Sequence, residues 1–302
     1  MAVIRSFLLL GLLLLAACSV QPEQPPIVVA SKGKPALWQV TTVDGNGGTA
    51  WLFGSVHLLP QGTDWQGPAI DEAIRVSDGL VIEVTGLDDK QAVGALFAAM
   101  GIDHDMPRLA DRIGVRQRAE LDKALDAASI HPRVLDKMET WAAALTLSSS
   151  ISNGLGLNSD AGVERVLQLR YAADEKPVQG LETVQQQFGF FDALPEKEQR
   201  ILLSVVVGGV GESRTRFQKL LDAWMVGNVD ALLANADEGL LASPLIRETL
   251  LDARNRRWAD SIGTMVDDGK KPFIAVGAGH LAGKGGVPEL LAAKGYVIKR
   301  VQ

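Results

Sequence analysis

The chain has 302 residues, 36 acidic and 30 basic side chains, a formal net charge of −6 and 47% apolar residues. This composition suits a globular protein with a sizeable core and excludes a disordered chain, while the mild acidity excludes a broadly basic nucleic-acid binder. One cysteine excludes an internal disulfide framework and a cysteine-rich metal site, and with four histidines in all, any two in matching contexts are informative.

Residues 1–17 read as a secretory address. Arg5 supplies the positive region, and Phe7 to Leu15 form an apolar run shorter than the roughly 20 residues a spanning helix needs. Leu15-Ala16-Ala17-Cys18 fits a bacterial lipobox, so the expectation is cleavage before Cys18, acylation of its thiol and attachment to a membrane. The alternative is an ordinary signal peptide with a chance cysteine. Ser19 stands where an aspartate is associated with inner-membrane retention, which points to the outer membrane, with the chain facing the periplasm. Residues 18–35 are rich in proline and read as a tether, leaving 36–302 as the folded domain.

Two short β-prone runs, Ala36–Thr42 and Thr49–Phe53, flank Asp44-Gly45-Asn46-Gly47-Gly48 and predict a hairpin. A loop follows from His57 to Trp65, then a helix opening at Pro68 and a compact buried strand, Leu80–Val84. From about 88 to 268 the pattern is helical, apart from a short strand near Lys176–Gly180. Phe273–Val276 predicts another buried strand, Val287–Ala293 a helix with Pro288 in its first turn, and Tyr296–Val301 a closing strand.

Two stretches match each other. Trp51–Leu58 and Phe273–Leu281 are both a strand followed by Gly-x-x-His-Leu, built on Gly54 and His57 and on Gly277 and His280. Each leads through a loop to a helix that opens with proline, then a glycine and a strand. The predicted fold is α/β: a central mixed β-sheet built from N- and C-terminal strand–Gly-x-x-His–helix–strand repeats, with a large helical insert as cap. Crossovers of this kind make parallel strands and bring both histidine loops to one rim.

His57 and His280 are therefore the central candidates, as neutral imidazoles that could share a first-row metal; a structural role for each is the plain alternative. His104 and His131 lack the context and are assigned to the surface or to helix ends. Glu83 ends a buried strand, where a carboxylate is costly unless paired or metal-bound; the alternatives are an edge-strand charge or an ion pair with Lys299. Glu164 reads as a first-turn helix acid, and Arg254-Asn255 as part of a solvated helix face. Gly277-x-Gly279-x-x-Ala282 imitates a dinucleotide fingerprint, but the chain ends before the acidic residue that such a site needs.

Taken together, Trp51–Pro60, Val81-Ile82-Glu83, Lys176–Gln187, Arg254-Asn255 with Trp258, and Ala275–Leu281 resemble the TraB/PrgY/GumN family, which is related to the Tiki membrane proteases. The resemblance runs from about Leu37 to Val301. It implies a metal-dependent, hydrolase-like site: His57, His280 and Glu83 as its core, Glu164 at a position where the family commonly has aspartate, Arg254 and Asn255 nearby, and Gly54 and Gly277 shaping it. Manganese, cobalt or zinc would be the ion, and a peptide or small acyl compound the substrate. Haem held by the same histidines without turnover is the rival reading, and a structural lipoprotein with a decayed site is a third. The oligomeric state is left open.

Overall fold

The structure is a computed structural model, and it describes residues 27–29, 32–232 and 239–302. The signal segment, Cys18 and most of the tether lie outside the described residues. The tether's end is docked: the Val28 N–H donates to Gln218 Oε1 at 2.9 Å, and Gln218 Nε2 donates to the Val28 carbonyl at 2.8 Å. Among the described residues no helix is long and apolar enough to cross a membrane.

Six strands form one mixed sheet: β1 (Leu37–Thr41), β2 (Thr49–Ser55), β3 (Gly79–Val84), β4 (Val178–Glu182), β5 (Pro272–Gly277) and β6 (Val297–Arg300), in the order β4-β3-β5-β2-β1-β6. β1 and β2 form the expected antiparallel hairpin, with Gln39 opposite Trp51. β2, β5, β3 and β4 are parallel neighbours. Gly54 faces Val276 across β2 and β5, so the two Gly-x-x-His strands lie side by side.

The crossover from β2 through α1 (Pro68–Val76) reaches β3, beyond β5; the crossover from β5 reaches β6 on the other side, beyond β2 and β1. Right-handed crossovers in opposite directions place their helices on opposite faces, and the packing agrees. Trp51, Phe53, Leu80, Ile82, Phe273 and Ala275 point to the face covered by α1 through Ile70 and Ile74. Leu52, Val81, Ile274 and Val276 point to the other face, the alternation a pleated strand dictates.

The long helical stretch does not act as one cap. It divides between the two sheet faces and a core of its own. Along it come α2 (Lys90–Gly101), α3 (Arg118–Ala128), α4 (Pro132–Leu135), α5 (Thr140–Gly154), α6 (Val163–Ala173), α7 (Val184–Asp192), α8 (Glu196–Gly208), α9 (Ser213–Met225), α10 (Pro244–Arg247) and α11 (Ala253–Asp267), with α12 (Val287–Ala293) after β5. α6 and α9 join α1 on the first face through Leu167, Tyr171, Leu221 and Trp224. α11 and α12 cover the second through Trp258, Ile262, Val287 and Leu291. α3, α5 and α8 make a separate core around Trp141, Leu147 and Leu203. β4 lies within the insert, yet it forms the sheet edge beside β3. Lys299 sits on β6 opposite Gln39, at the far edge from Glu83, which rules out their pairing.

Candidate functional site

Four adjacent parallel strands each deliver one chemical side chain to the same rim. Glu182 ends β4, Glu83 is the penultimate residue of β3, His280 follows β5 in a tight turn over Ala278–Leu281, and His57 lies just past β2. Glu83, Glu182 and His280 are buried, whereas the His57 side chain is 63% exposed.

Three glycines make this convergence possible. A β-carbon on Gly54 would sit 3.0 Å from Ala278, so its absence lets the turn carrying His280 lie on β2. A β-carbon on Gly162 would strike the His57 backbone carbonyl, so glycine lets the start of α6 pass beneath the His57 loop. On Gly277 the missing β-carbon leaves a space that lies 3.0 Å from Glu83 Oε1, 3.6 Å from His280 Cδ2 and 3.9 Å from His57 Nε2. The two rings are thus within the roughly 8 Å that ligands sharing one ion require, with bonds of about 2 Å.

Each histidine is held through Nδ1. Glu164 Oε1 lies 2.6 Å from His57 Nδ1 and also accepts the Ser55 hydroxyl. This places Glu164 behind His57, on the side of the ring away from Gly277. Asn255 Oδ1 lies 2.6 Å from His280 Nδ1, and Asn255 Nδ2 donates to the Gly285 carbonyl at 2.9 Å. With its amide committed in that direction, Asn255 accepts a proton from Nδ1 and leaves the lone pair of His280 on Nε2. His57, with Nδ1 fixed by an acceptor and Nε2 facing the Gly277 space, has the arrangement of a metal ligand with its outer support, and His280 presents Cδ2 to that space with Nε2 beside it.

Arg254 links the acids to His280. Its Nε is 3.0 Å from Glu182 Oε1, and Nη2 is 2.7 Å from Glu182 Oε2 and 2.8 Å from Glu83 Oε2. Nη1 donates to the Leu250 carbonyl at 3.1 Å and lies 3.2 Å from His280 Nε2. The guanidinium lies over the Trp258 ring, 4.6 Å from its centroid, and Trp258 in turn lies 4.4 Å from the His280 ring. Arg254 and Asn255 are therefore buried, not on a solvated helix face. Residues 248–252, just before Arg254, form a π-helical turn, a local widening frequent at functional sites.

These contacts set the charges. For His57, desolvation by the neighbouring rim would lower the pKa, but the charge and hydrogen bond of Glu164 raise it to about 9. Burial drives His280 down to about 4. Burial would raise Glu83, but the charges of His280 when protonated, of Arg254 and of His57, with the Gly277 N–H donating at 2.7 Å, bring it down to about 2. At neutral pH the rim holds an ionised Glu83, a neutral His280 and a proton on His57 that is lost near pH 9.

A cleft of about 460 Å³ opens beside His57 and Glu83. Apolar Leu58, Ile82, Val84 and Leu87 line it together with charged Asp88, Lys90, Asp160 and Arg165. A second depression, of about 550 Å³ beside Arg112, holds none of these groups. Arg112 there is satisfied by the carbonyls of Pro107, Asp136 and Met138. His131 caps α4 by accepting the Arg133 N–H at 3.3 Å, and His104 is exposed.

The TraB/PrgY/gumN family model matches residues 36–300. The chain belongs to the TraB/PrgY/gumN family. Among curated proteins, this family member is similar to the uncharacterized protein YbaP of Shigella flexneri, at 24% identity over 267 residues covering 87% of this chain and 95% of that one. It is also 24% identical to the uncharacterized protein YbaP of Escherichia coli (strain K12), over 80% of this chain and 86% of that one. No solved structure matches it.

Two members of the site carried no role in the sequence reading. Glu182 lay inside the Lys176–Gln187 stretch but two residues past the expected Lys176–Gly180 strand, whereas the observed β4 runs on to it. Gln187 Nε2 bridges Glu83 Oε2 and Glu182 Oε2, each at 3.3 Å, from the first turns of α7; only the tertiary fold reveals it. Among the described residues, no group of three or more histidine, cysteine, aspartate or glutamate side chains stands close enough, as they are now turned, to hold an ion.

Proposed function

We propose that this TraB/PrgY/gumN protein is a lipid-anchored, metal-dependent hydrolase, peptidase-like, acting on peptides or small acyl compounds at the periplasmic side of the outer membrane. The observation that carries the reading is the convergence on Gly277: two imidazoles with fixed Nδ1 atoms and one ionised carboxylate border a space that a single β-carbon would fill. His57, His280 and Glu83 would hold manganese, cobalt or zinc, and the paired strand–Gly-x-x-His–helix–strand units would be an internal repeat that brings them together.

The donor set fits a divalent ion in charge as well as type. Glu83 and Glu182 share the Arg254 guanidinium and Glu164 pairs with His57, so once His57 has given up its proton the rim is left with carboxylate charge for a divalent ion. A bound ion of this kind polarises a carbonyl and lowers the pKa of a bound water toward about 7. The chain's own groups do the rest. Glu164 and Ser55 keep the His57 ring turned so that Nε2 faces the site. Glu83 holds one oxygen on the Gly277 N–H and can take a proton from a nucleophilic water. The cleft beside Leu87 and Lys90 orients an extended substrate. Haem without turnover fits less well, because Asp88, Lys90, Asp160 and Arg165 put charges among the apolar Leu58, Ile82, Val84 and Leu87 of the cleft.

Three expectations test the parts. In Gly277→Ala the new methyl enters the shared space, so metal affinity should fall while the fold persists, read as binding lost in calorimetry with unchanged circular dichroism. Binding as tight as wild type would mean the ion sits elsewhere. Glu164→Ala should weaken metal affinity by about 10–100-fold, the cost of removing an outer partner of a ligating histidine. The pH dependence follows from His57. Its Nε2 must lose a proton to ligate, and its pKa is about 9, whereas His280 is neutral above about 4. Affinity should therefore rise as pH increases from 6 to 9, with about one proton released per ion. Calorimetry in buffers of different ionisation enthalpy measures that proton, and a value of zero would remove His57 from the ligand set.

The anchor is tested separately. Cys18→Ala should yield an unacylated form that leaves the membrane fraction. A variant that still sediments with membranes, alongside a wild-type chain without lipid mass, would remove the anchor.

A further inference from the structure

The five N–H bonds of Arg254 are all committed, to two sets of partners. Nε and one Nη2 hydrogen go to Glu182, the other Nη2 hydrogen to Glu83, and the Nη1 pair to the Leu250 carbonyl and His280 Nε2. Two of these partners, Glu83 and the free nitrogen of His280, are the groups proposed above to hold an ion. A nitrogen lone pair can accept from a guanidinium or bind a metal, but it cannot do both. Glu182 is different. It faces Arg254 through both oxygens, also accepts the Trp258 Nε1–H at 3.2 Å, and is buried at the end of β4.

We propose that Arg254 is the resident cation of the metal-free site, that it competes with the metal ion for Glu83 and His280, and that Glu182 is the anchor that retains Arg254 when the ion takes those two groups. This rests on the metal-binding reading above and adds to it a role for Glu182, which the sequence did not assign. Removing a partner from a buried ion pair leaves an uncompensated charge, so an arginine that must release one carboxylate needs a second in place. Glu182 is a positioning residue that acts on the ion through Arg254.

The test is a double-mutant cycle on metal affinity in the otherwise intact chain, titrated with manganese or zinc alone. Arg254→Met keeps the length of the side chain and removes its charge. It should tighten metal binding by about tenfold, and Glu182→Gln should weaken it by about tenfold, within the usual range of coupling between contacting groups. In the Arg254→Met background, Glu182→Gln should change affinity by less than about twofold, because there is no arginine left to retain. An equal loss in both backgrounds would show plain charge attraction and overturn the anchor, and looser binding in Arg254→Met would overturn the competition. Should Arg254→Met not fold, the wild-type chain labelled with 15N-arginine gives the second readout. Titration with zinc should speed solvent exchange at the Arg254 Nη groups, which lose Glu83 and His280, while Nε–H stays protected on Glu182. Protection unchanged at both positions in the loaded protein overturns the proposal. A wild type that binds neither manganese, cobalt nor zinc fails the metal reading itself, an outcome distinct from all of these.

Discussion

Glu83→Gln is expected to lower turnover by about 10²–10⁴-fold, the usual contribution of a positioned acid–base group. The substitution keeps the shape of the side chain and the oxygen that accepts the Gly277 N–H, but removes charge and basicity. Two mechanisms separate here. If Glu83 takes the proton from water, the metal stays bound and only turnover falls. If Glu83 is chiefly a ligand, metal content and turnover fall together. The check is metal stoichiometry and rate on the same preparation. Unchanged turnover would remove Glu83 from the chemistry.

The second large effect is on stability. Arg254→Ala leaves Glu83 and Glu182 buried without their cation, and breaking a buried pair in this way costs about 3–5 kcal/mol. The pH dependence should also shift. In the wild type the Glu83 pKa is depressed to about 2, so its contribution is present above the ordinary value near 4.5 and is lost as pH falls toward 2. Without Arg254 that pKa moves up from about 2, while the His57 charge and the Gly277 N–H still act on the carboxylate, so the loss of stability on acidification should set in at higher pH in the metal-free variant. Urea melts of the chelated proteins at several pH values would show this. A melt within about 1 kcal/mol of wild type at pH 7, the range of an exposed pair, would mean the pair is solvated and not a framework of the rim.

Much of this architecture was legible because its signals are local. The Asp44–Gly48 turn fixed a hairpin, proline at the start of α1 and α12 marked helix openings, and the repeated Gly-x-x-His after a β-prone run predicted two parallel strands that do pair directly. How the helical stretch divides is set by packing. The helices α6, α9 and α11 carry apolar faces like those of α5 and α8, and only packing decides which lie on the sheet and which make their own core. The burial of Arg254 and Asn255 was hidden for a related reason. Beside Arg256 and Arg257 they read as a charged solvent face, but the helix is turned so that Arg254 and Trp258, four residues apart, face the sheet together. Glu182 was missed because its value depends on Arg254, which arrives from 72 residues away.

The central claim is a metal ion at the Gly277 space. The direct measurement is the metal content of the full chain, by inductively coupled plasma mass spectrometry after dialysis against manganese, cobalt or zinc, for wild type and for the variant carrying both His57→Ala and His280→Ala, with the visible spectrum of each recorded. One ion per chain in the wild type, none in the double variant and no Soret band in either is the predicted result. Full occupancy in the variant lacking both histidines, or a Soret band lost with them, would contradict it.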